Sequence, residues 1–223
     1  MSLGMNRAVR RLAGTALAAG SVLSLGACAL PRVTQRPAQV EYRLLAPSAQ
    51  QAATGAHPVI LRVLAVQAAP GLGGVDMLYS PHALQLMPYR DSRWLVPPGE
   101  MITAALRQSL ARQPWVAAVE DEASPAAAAL TLRCSLDRLE HDVYSARVVL
   151  HTRCQLFDDA DSKLRATWGF AASRDVGRQD AAGYAQATQD LLDGLVAQAL
   201  RHIAAALPAD QAAPAAAPAS SAH

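Results

Sequence analysis

The chain has 223 residues, with 20 Lys and Arg against 18 Asp and Glu and only 4% aromatic side chains. Its first 27 residues, read below as a removable signal, take Arg7, Arg10 and Arg11 with them, which leaves 17 basic against 18 acidic residues in the remaining 196. That balance leaves no basic surplus to argue for nucleic acid, and the length suits one compact domain rather than two.

Residues 12 to 27 form an uncharged stretch of Leu, Ala, Gly, Val, Ser and Thr behind the three arginines. A basic start, an apolar middle and small residues before a cut are the layout of a secretory signal. Sixteen residues rich in Ala and Gly are too short and too weakly apolar for a spanning helix, which takes about 20. Leu25, Gly26, Ala27 and Cys28 resemble the lipobox of bacterial lipoproteins. That resemblance implies removal of residues 1–27 and a diacylglycerol and N-acyl lipid on Cys28, with no other cofactor. Each buried methylene adds about 0.8 kcal/mol, so two or three acyl chains tether the protein firmly without spanning the bilayer. Ala29 follows Cys28 where an Asp favours inner-membrane retention in enterobacterial lipoproteins, so the expected address is the inner leaflet of the outer membrane, facing the periplasm.

Residues 28–38 carry two prolines and read as a lipidated linker. The stretch 208–223 is Pro/Ala-rich, low-complexity and expected to be disordered. A folded domain is expected between them, over 39–207. In it, VEYRLLA (40–46) and PVILRVLAV (58–66) are β-rich, the second dense enough in Val, Ile and Leu for a buried strand. After APGLGG, two short strands are expected at VDMLYS (75–80) and ALQLMPY (83–89), split by Pro81.

The period then changes. Ile102, Leu106 and Leu110 recur every four residues between Pro97-Pro98 and Pro114, which predicts an amphipathic helix of four turns. WVAAVE (115–120) reads as a strand. ALTLRCSLDRLE (129–140) and SARVVLHTRCQLF (145–157) alternate apolar and polar residues around a polar turn at 141–144, as in an antiparallel hairpin over a core. LRATWGFAAS (164–173) is a third strand. From about Gln179 to Ala206, Tyr184, Thr188, Leu191, Leu195, Ala199 and Ile203 keep helical spacing. The expected fold is an α/β (α+β) sandwich: a mixed sheet with a crossover helix, an antiparallel hairpin region and a long C-terminal helix.

A turn at 141–144 pairs position 134 with about 150, so Cys134 and Cys154 are read as buried thiols, with a cross-strand disulfide as the alternative. His151 with Cys154, and Cys134 with His141, stand three and seven residues apart; in a regular strand such pairs face opposite sides, so no metal site is expected. GLGG (71–74) precedes a strand and lacks the Lys-Ser/Thr of a phosphate loop, there is no G-x-S-x-G elbow, and nothing argues for an enzyme. The few aromatics cluster: Tyr79, Tyr89 and Trp94 lie amid Met77, Leu86, Met87 and Pro97-Pro98. Two of the three read as core, yet Tyr and Trp also suit a half-wet contact with a partner or an acyl chain.

YRLLAP soon after a lipobox, the strand VILRVLAV, and then DMLYSPHALQLMPYRDSRWLVPPGEMITAALRQSL together resemble the ABC-type transport auxiliary lipoproteins, including the PqiC-like lipoproteins. Tyr79, Tyr89, Trp94, Pro97, Leu106 and Leu110 occupy the places of the family's spaced aromatics, Pro-rich start and Leu-spaced helix, and the resemblance covers nearly all of 39–206. Cys134 and Cys154 are outside its pattern. The resemblance implies a non-catalytic partner of an ABC permease and ATPase that works with a mammalian-cell-entry (MCE) domain protein to move phospholipid or related lipids between membranes. Tyr79, Tyr89 and Trp94 become candidate contacts to a partner or to membrane lipid, and association with further copies of the chain is open. The rival readings are an assembly or plug lipoprotein of an outer-membrane β-barrel such as the lipopolysaccharide translocon, and a lipid-binding carrier.

Overall fold

The thirteen residues from Leu130 to Asp142 form the strand around which the domain is arranged. The structure, a computed structural model, describes residues 38–48 and 58–207. The expected signal, the linker up to residue 37 with Cys28, and the tail 208–223 lie outside the described residues. The elements are β1 (Val40–Tyr42), β2 (Val59–Val63), β3 (Gln67–Ala68), β4 (Asp76–Ser80), β5 (Met87–Trp94), α1 (Pro98–Leu110), β6 (Val116–Glu120), β7 (Leu130–Asp142), β8 (Arg147–Asp158), β9 (Leu164–Asp175) and α2 (Ala181–Ala206).

One edge of β7 pairs antiparallel with β8 along its length, and β8 pairs with β9 in the same way. The other edge is shared in parallel by three short strands: β2 at Leu130–Leu132, β3 at Ser135–Leu136 and β4 at His141–Asp142. Beyond β2 lies β6, and beyond β4 lie β5 and then β1. This nine-stranded mixed sheet with both helices packed on it is the α+β sandwich that the alternating and helical periods predict.

Helix α1 opens with Pro98 at its first position, where a missing N–H is no loss, and buries Met101, Ile102, Ala105, Leu106 and Leu110. Thr103 fastens it to the sheet: its hydroxyl accepts from Val66 N at 2.9 Å and donates to Gly99 O at 2.7 Å. The Arg107 guanidinium adds a bond of 2.6 Å to Val63 O. Helix α2 starts at Asp180, whose carboxylate accepts from Gly183 N at 2.9 Å, an N-cap. Every stripe residue named above for this helix is buried, together with Leu192, Val196 and Leu200. Gln189 reaches off α2 to the segment after β1, accepting from Leu45 N at 2.8 Å and donating to Leu45 O at 2.9 Å.

Two differences from the sequence reading have clear causes. The strand expected at 83–89 is displaced to 87–94, because Tyr79 pairs with Met87 and residues 81–86 form the connecting turn. Arg90, Asp91 and Arg93 make that strand too polar to show as a β run. The other concerns the cysteines, which are joined: Cys134 and Cys154 form a disulfide with Cα atoms 4.1 Å apart, not two buried thiols. The hairpin turn sits two residues later than expected, with Asp142 opposite Arg147, and Asp137 is an extra residue on β7 between the pairs Leu136–Thr152 and Arg138–His151. The later turn moves the partner of position 134 from about 151 to 155, and the extra residue takes it back by one, which sets Cys134 opposite Cys154.

The same bulge changes which face the end of β7 presents. A β-bulge reverses the inward and outward alternation beyond it. Cys134 and Leu136 face the core before it, Leu139 and His141 after it. The expectation that Cys134 and His141 face opposite sides is therefore corrected. Among the described residues no group of three or more His, Cys, Asp or Glu is placed to hold a metal ion.

Candidate functional site

The bulge delivers His141, fully buried, into the middle of the aromatic residues. Trp94 ends β5 and meets the ring of Tyr184 edge-on, with centroids 5.4 Å apart. Tyr184 lies 5.9 Å from the His141 ring and 6.2 Å from Tyr89. The Tyr89 and His141 rings are nearly coplanar, their centroids 6.3 Å apart, with the Tyr89 hydroxyl 2.7 Å from His141 Nδ1. Tyr79 caps the series from the half-wet side, its ring 5.0 Å from that of Tyr89 and its hydroxyl directed at Met87 Sδ at 3.8 Å. β4, β5, β7 and the first turn of α2 thus each contribute to one aromatic stack.

Burial favours the neutral forms of Tyr89, Tyr184 and His141. Burial, followed by Asp180 and Tyr79, pushes the Tyr89 phenol up to about 12. Burial raises Tyr184 as well, with smaller contributions from Glu140 and Tyr89. Burial lowers His141, against the opposing pull of Asp142 and Asp180. Trp94 Nε1, His141 Nε2 and Tyr184 OH are buried with no hydrogen-bond partner. These ring contacts tie β4, β5, β7 and α2 to one another.

The three aromatic candidates separate in the structure. Trp94 is wholly buried and is a core residue, which corrects its reading as a contact to a partner or lipid. Tyr89 is partly buried against the core, and Tyr79 is half-buried at its rim. Exposed apolar surface lies further along, in part of the stretch expected to be a strand at 83–89. Leu84 is fully exposed in the β4–β5 turn, Leu86 and Met87 follow it into solvent, and Tyr144 is 90% exposed in the β7–β8 turn. Cys28, the lipidation candidate, is outside the described residues. Among those residues no helix is long and apolar enough to cross a membrane.

Comparison with known proteins agrees with this arrangement. A family model described as the ABC-type transport auxiliary lipoprotein component matches residues 42–199, more than half of the chain. The chain belongs to that family. This auxiliary lipoprotein component is similar in fold to protein XCC0632 from Xanthomonas campestris, of the family DUF330, with 19% identity, a TM-score of 0.64 and coverage of 75% of this chain and 95% of that one. It is also similar to an uncharacterized protein of solved structure, at 15% identity and a TM-score of 0.60, covering 74% and 99% of the two chains. At these identities the likeness concerns the fold alone. No curated protein matches the auxiliary component. The matched stretch runs from the last residue of β1 into α2 and so takes in the whole aromatic stack. Membership makes the chain an auxiliary lipoprotein of an ABC transport system, held at the cell envelope.

Proposed function

We propose that the protein is anchored through acylated Cys28 in the inner leaflet of the outer membrane and acts in the periplasm as the non-catalytic docking component of an MCE-type ABC transporter for phospholipid or related lipids. The observation that carries this reading is the family match across the domain, joined to the lipobox at its N-terminal side. An auxiliary component borrows its ATP-driven step from a partner chain, in keeping with a glycine run that leads into β4 rather than a helix. The layer between sheet and helices is filled by Trp94, Trp115, Tyr184 and a dense set of leucines, which favours an adaptor over a carrier that encloses an acyl chain. Tyr79, with the exposed part of Tyr89, remains the aromatic contact candidate for the MCE-domain protein.

Affinity purification of the full-length lipoprotein from its own envelope in mild detergent tests this, with Cys28→Ser as the untethered control and mass spectrometry of captured proteins and lipids. Enrichment of an MCE-domain protein with its permease and ATPase is the expected result. Recovery of an outer-membrane β-barrel with no MCE component would replace the proposal with the assembly-lipoprotein reading.

A further inference from the structure

The chain enters the domain at the end where Leu84, Leu86, Met87 and Tyr144 are exposed, whereas Leu45, Leu95, Val96 and Leu164 are exposed away from it. Strand β1 runs parallel to β5, with Val40 opposite Ser92 and Tyr42 opposite Trp94. Gln39 Nε2 donates to Arg90 O at 3.4 Å. Passing back from Tyr42 to Gln39 is therefore passing along β5 toward Met87, where the β4–β5 turn closes. That turn lies beside the β7–β8 turn, since Ser80 is paired with Asp142 and Val143 N donates to Ser80 O at 3.1 Å. Leu84, Leu86, Met87 and Tyr144 consequently share one end of the domain with the point of chain entry.

Scattered exposed leucines need no explanation. Leu84 is different, because its φ of 70° lies in the left-handed region, which glycine or asparagine occupies at lower cost. A leucine held there with its side chain in water serves neither backbone geometry nor core packing. Basic residues around this end are matched by acids: Arg90 lies by Asp91, Arg147 by Asp175 and Arg178 by Asp180. Asp142 at this end is a further acid, so there is no basic surplus here and attraction to this end has to be apolar rather than directed at anionic groups.

We propose that this end docks on the bilayer that holds Cys28, with Leu84, Leu86 and Tyr144 entering the boundary between headgroups and acyl chains. The proposal rests on the lipidation reading. Ala38 is ten chain steps from Cys28, and a chain spans at most about 3.6 Å per step, so the tether reaches no more than about 36 Å. A tether of that length holds the end at high effective concentration beside the membrane, so a contact too weak to bind a free domain suffices. The tether's point of attachment is what selects a bilayer over a protein as the occupant.

The test uses the full-length, acylated protein in protein-free vesicles of phosphatidylethanolamine and phosphatidylglycerol. Leu84→Cys and Tyr144→Cys, with Ser162→Cys in the far β8–β9 turn as control, each add one free thiol for an environment-sensitive fluorophore, because Cys28 carries lipid and Cys134 is bonded to Cys154. The expected result is blue-shifted emission at 84 and 144, lost on addition of spin-labelled phospholipid, and water-like emission at 162. Protein that floats with the vesicles while 84 and 144 stay water-like would overturn the docking and leave the anchor standing. Protein that fails to float, with Cys28→Ser behaving identically, would overturn the lipidation reading and the docking with it. Emission that shifts in native envelopes but not in protein-free vesicles would also overturn the proposal, and would assign the surface to a protein.

Discussion

Trp94→Ala separates a core residue from a contact residue. The side chain is wholly buried and sits edge-on to Tyr184 at 5.4 Å. A buried tryptophan removes roughly 150–250 Å² from water, worth about 4–6 kcal/mol at about 25 cal/mol per Å². Two corrections lower the figure. The unfolded chain already hides some of that area, and Nε1 is buried without a partner, so its removal relieves a penalty of about 1–3 kcal/mol. The cavity left beside Tyr184 acts the other way, and about 3–5 kcal/mol is the expected net loss. With a urea m-value of about 2 kcal/mol/M, the unfolding midpoint falls by about 2 M. The assay is urea unfolding followed by circular dichroism, with the Cys28→Ser chain as background. Trp94→Phe should recover part of the loss, and Tyr79→Ala, half-buried, should cost about 1 kcal/mol. A Trp94→Ala protein that unfolds at the parent's urea concentration yet no longer captures its partner would refute the packing argument and restore Trp94 as a contact.

His141 has its pKa lowered by burial from 6.5. The unfolded chain therefore binds the extra proton first, and stability is full at neutral pH and falls below about pH 6.5, by at most about 1.4 kcal/mol per pH unit. His141→Phe should flatten the change in urea midpoint between pH 7.5 and 5.5, and an unchanged slope would assign it to other groups. The Cys134–Cys154 bond closes a loop of sequence separation 20, for which chain entropy gives about 3 kcal/mol. Reduction should lower the urea midpoint accordingly, whereas alkylation of both thiols in the unfolded chain without reductant would show that they are free. Gly183→Ala tests the start of α2: an added Cβ would lie 2.0 Å from Arg178 O and 2.8 Å from Val176 Cγ1. Helix propensity alone favours Ala by about 1 kcal/mol, but this overlap should reverse the sign to a loss of about 2–3 kcal/mol. Gly194→Ala, whose Cβ meets only the end of the Phe170 ring at 3.3 Å, should stay near neutral in the same unfolding assay.

Legibility in the sequence followed the strength of each local pattern. Helix α2 could be read residue by residue, because a stripe repeated over seven turns leaves one solution for the buried face. The β7–β8 hairpin showed its faces but not its register. Alternation has period two, so a turn shifted by two residues looks the same, and a single bulge at Asp137 leaves no compositional mark. That one residue, together with the later turn, accounts for the disulfide, and it places His141 on the core face. β5 was misplaced because its outward residues are Arg90, Asp91 and Arg93, and β3, two residues long, has no pattern to read. The aromatic stack was half legible. Tyr79, Tyr89 and Trp94 are near neighbours in sequence, while Tyr184 and His141 join them only through tertiary contacts. Leu84 was misread because Leu84, Gln85 and Leu86 alternate like a strand although they lie in the β4–β5 turn.

The sharing of one edge of β7 among three short strands bears on how the protein is made. Synthesis delivers β1 to β6 and α1 before β7, so β2 and β4 wait for an edge that has not yet appeared. Their pairings, Leu61 with Leu130 and Tyr79 with His141, close loops of more than sixty residues, whereas β7, β8 and β9 pair locally through two short turns. Loop closure over such distances is slow compared with hairpin formation. The last third of the chain is then the template on which the earlier strands assemble. A nascent chain halted before Leu130 would present two unjoined β fragments and their apolar faces to whatever chaperone escorts it.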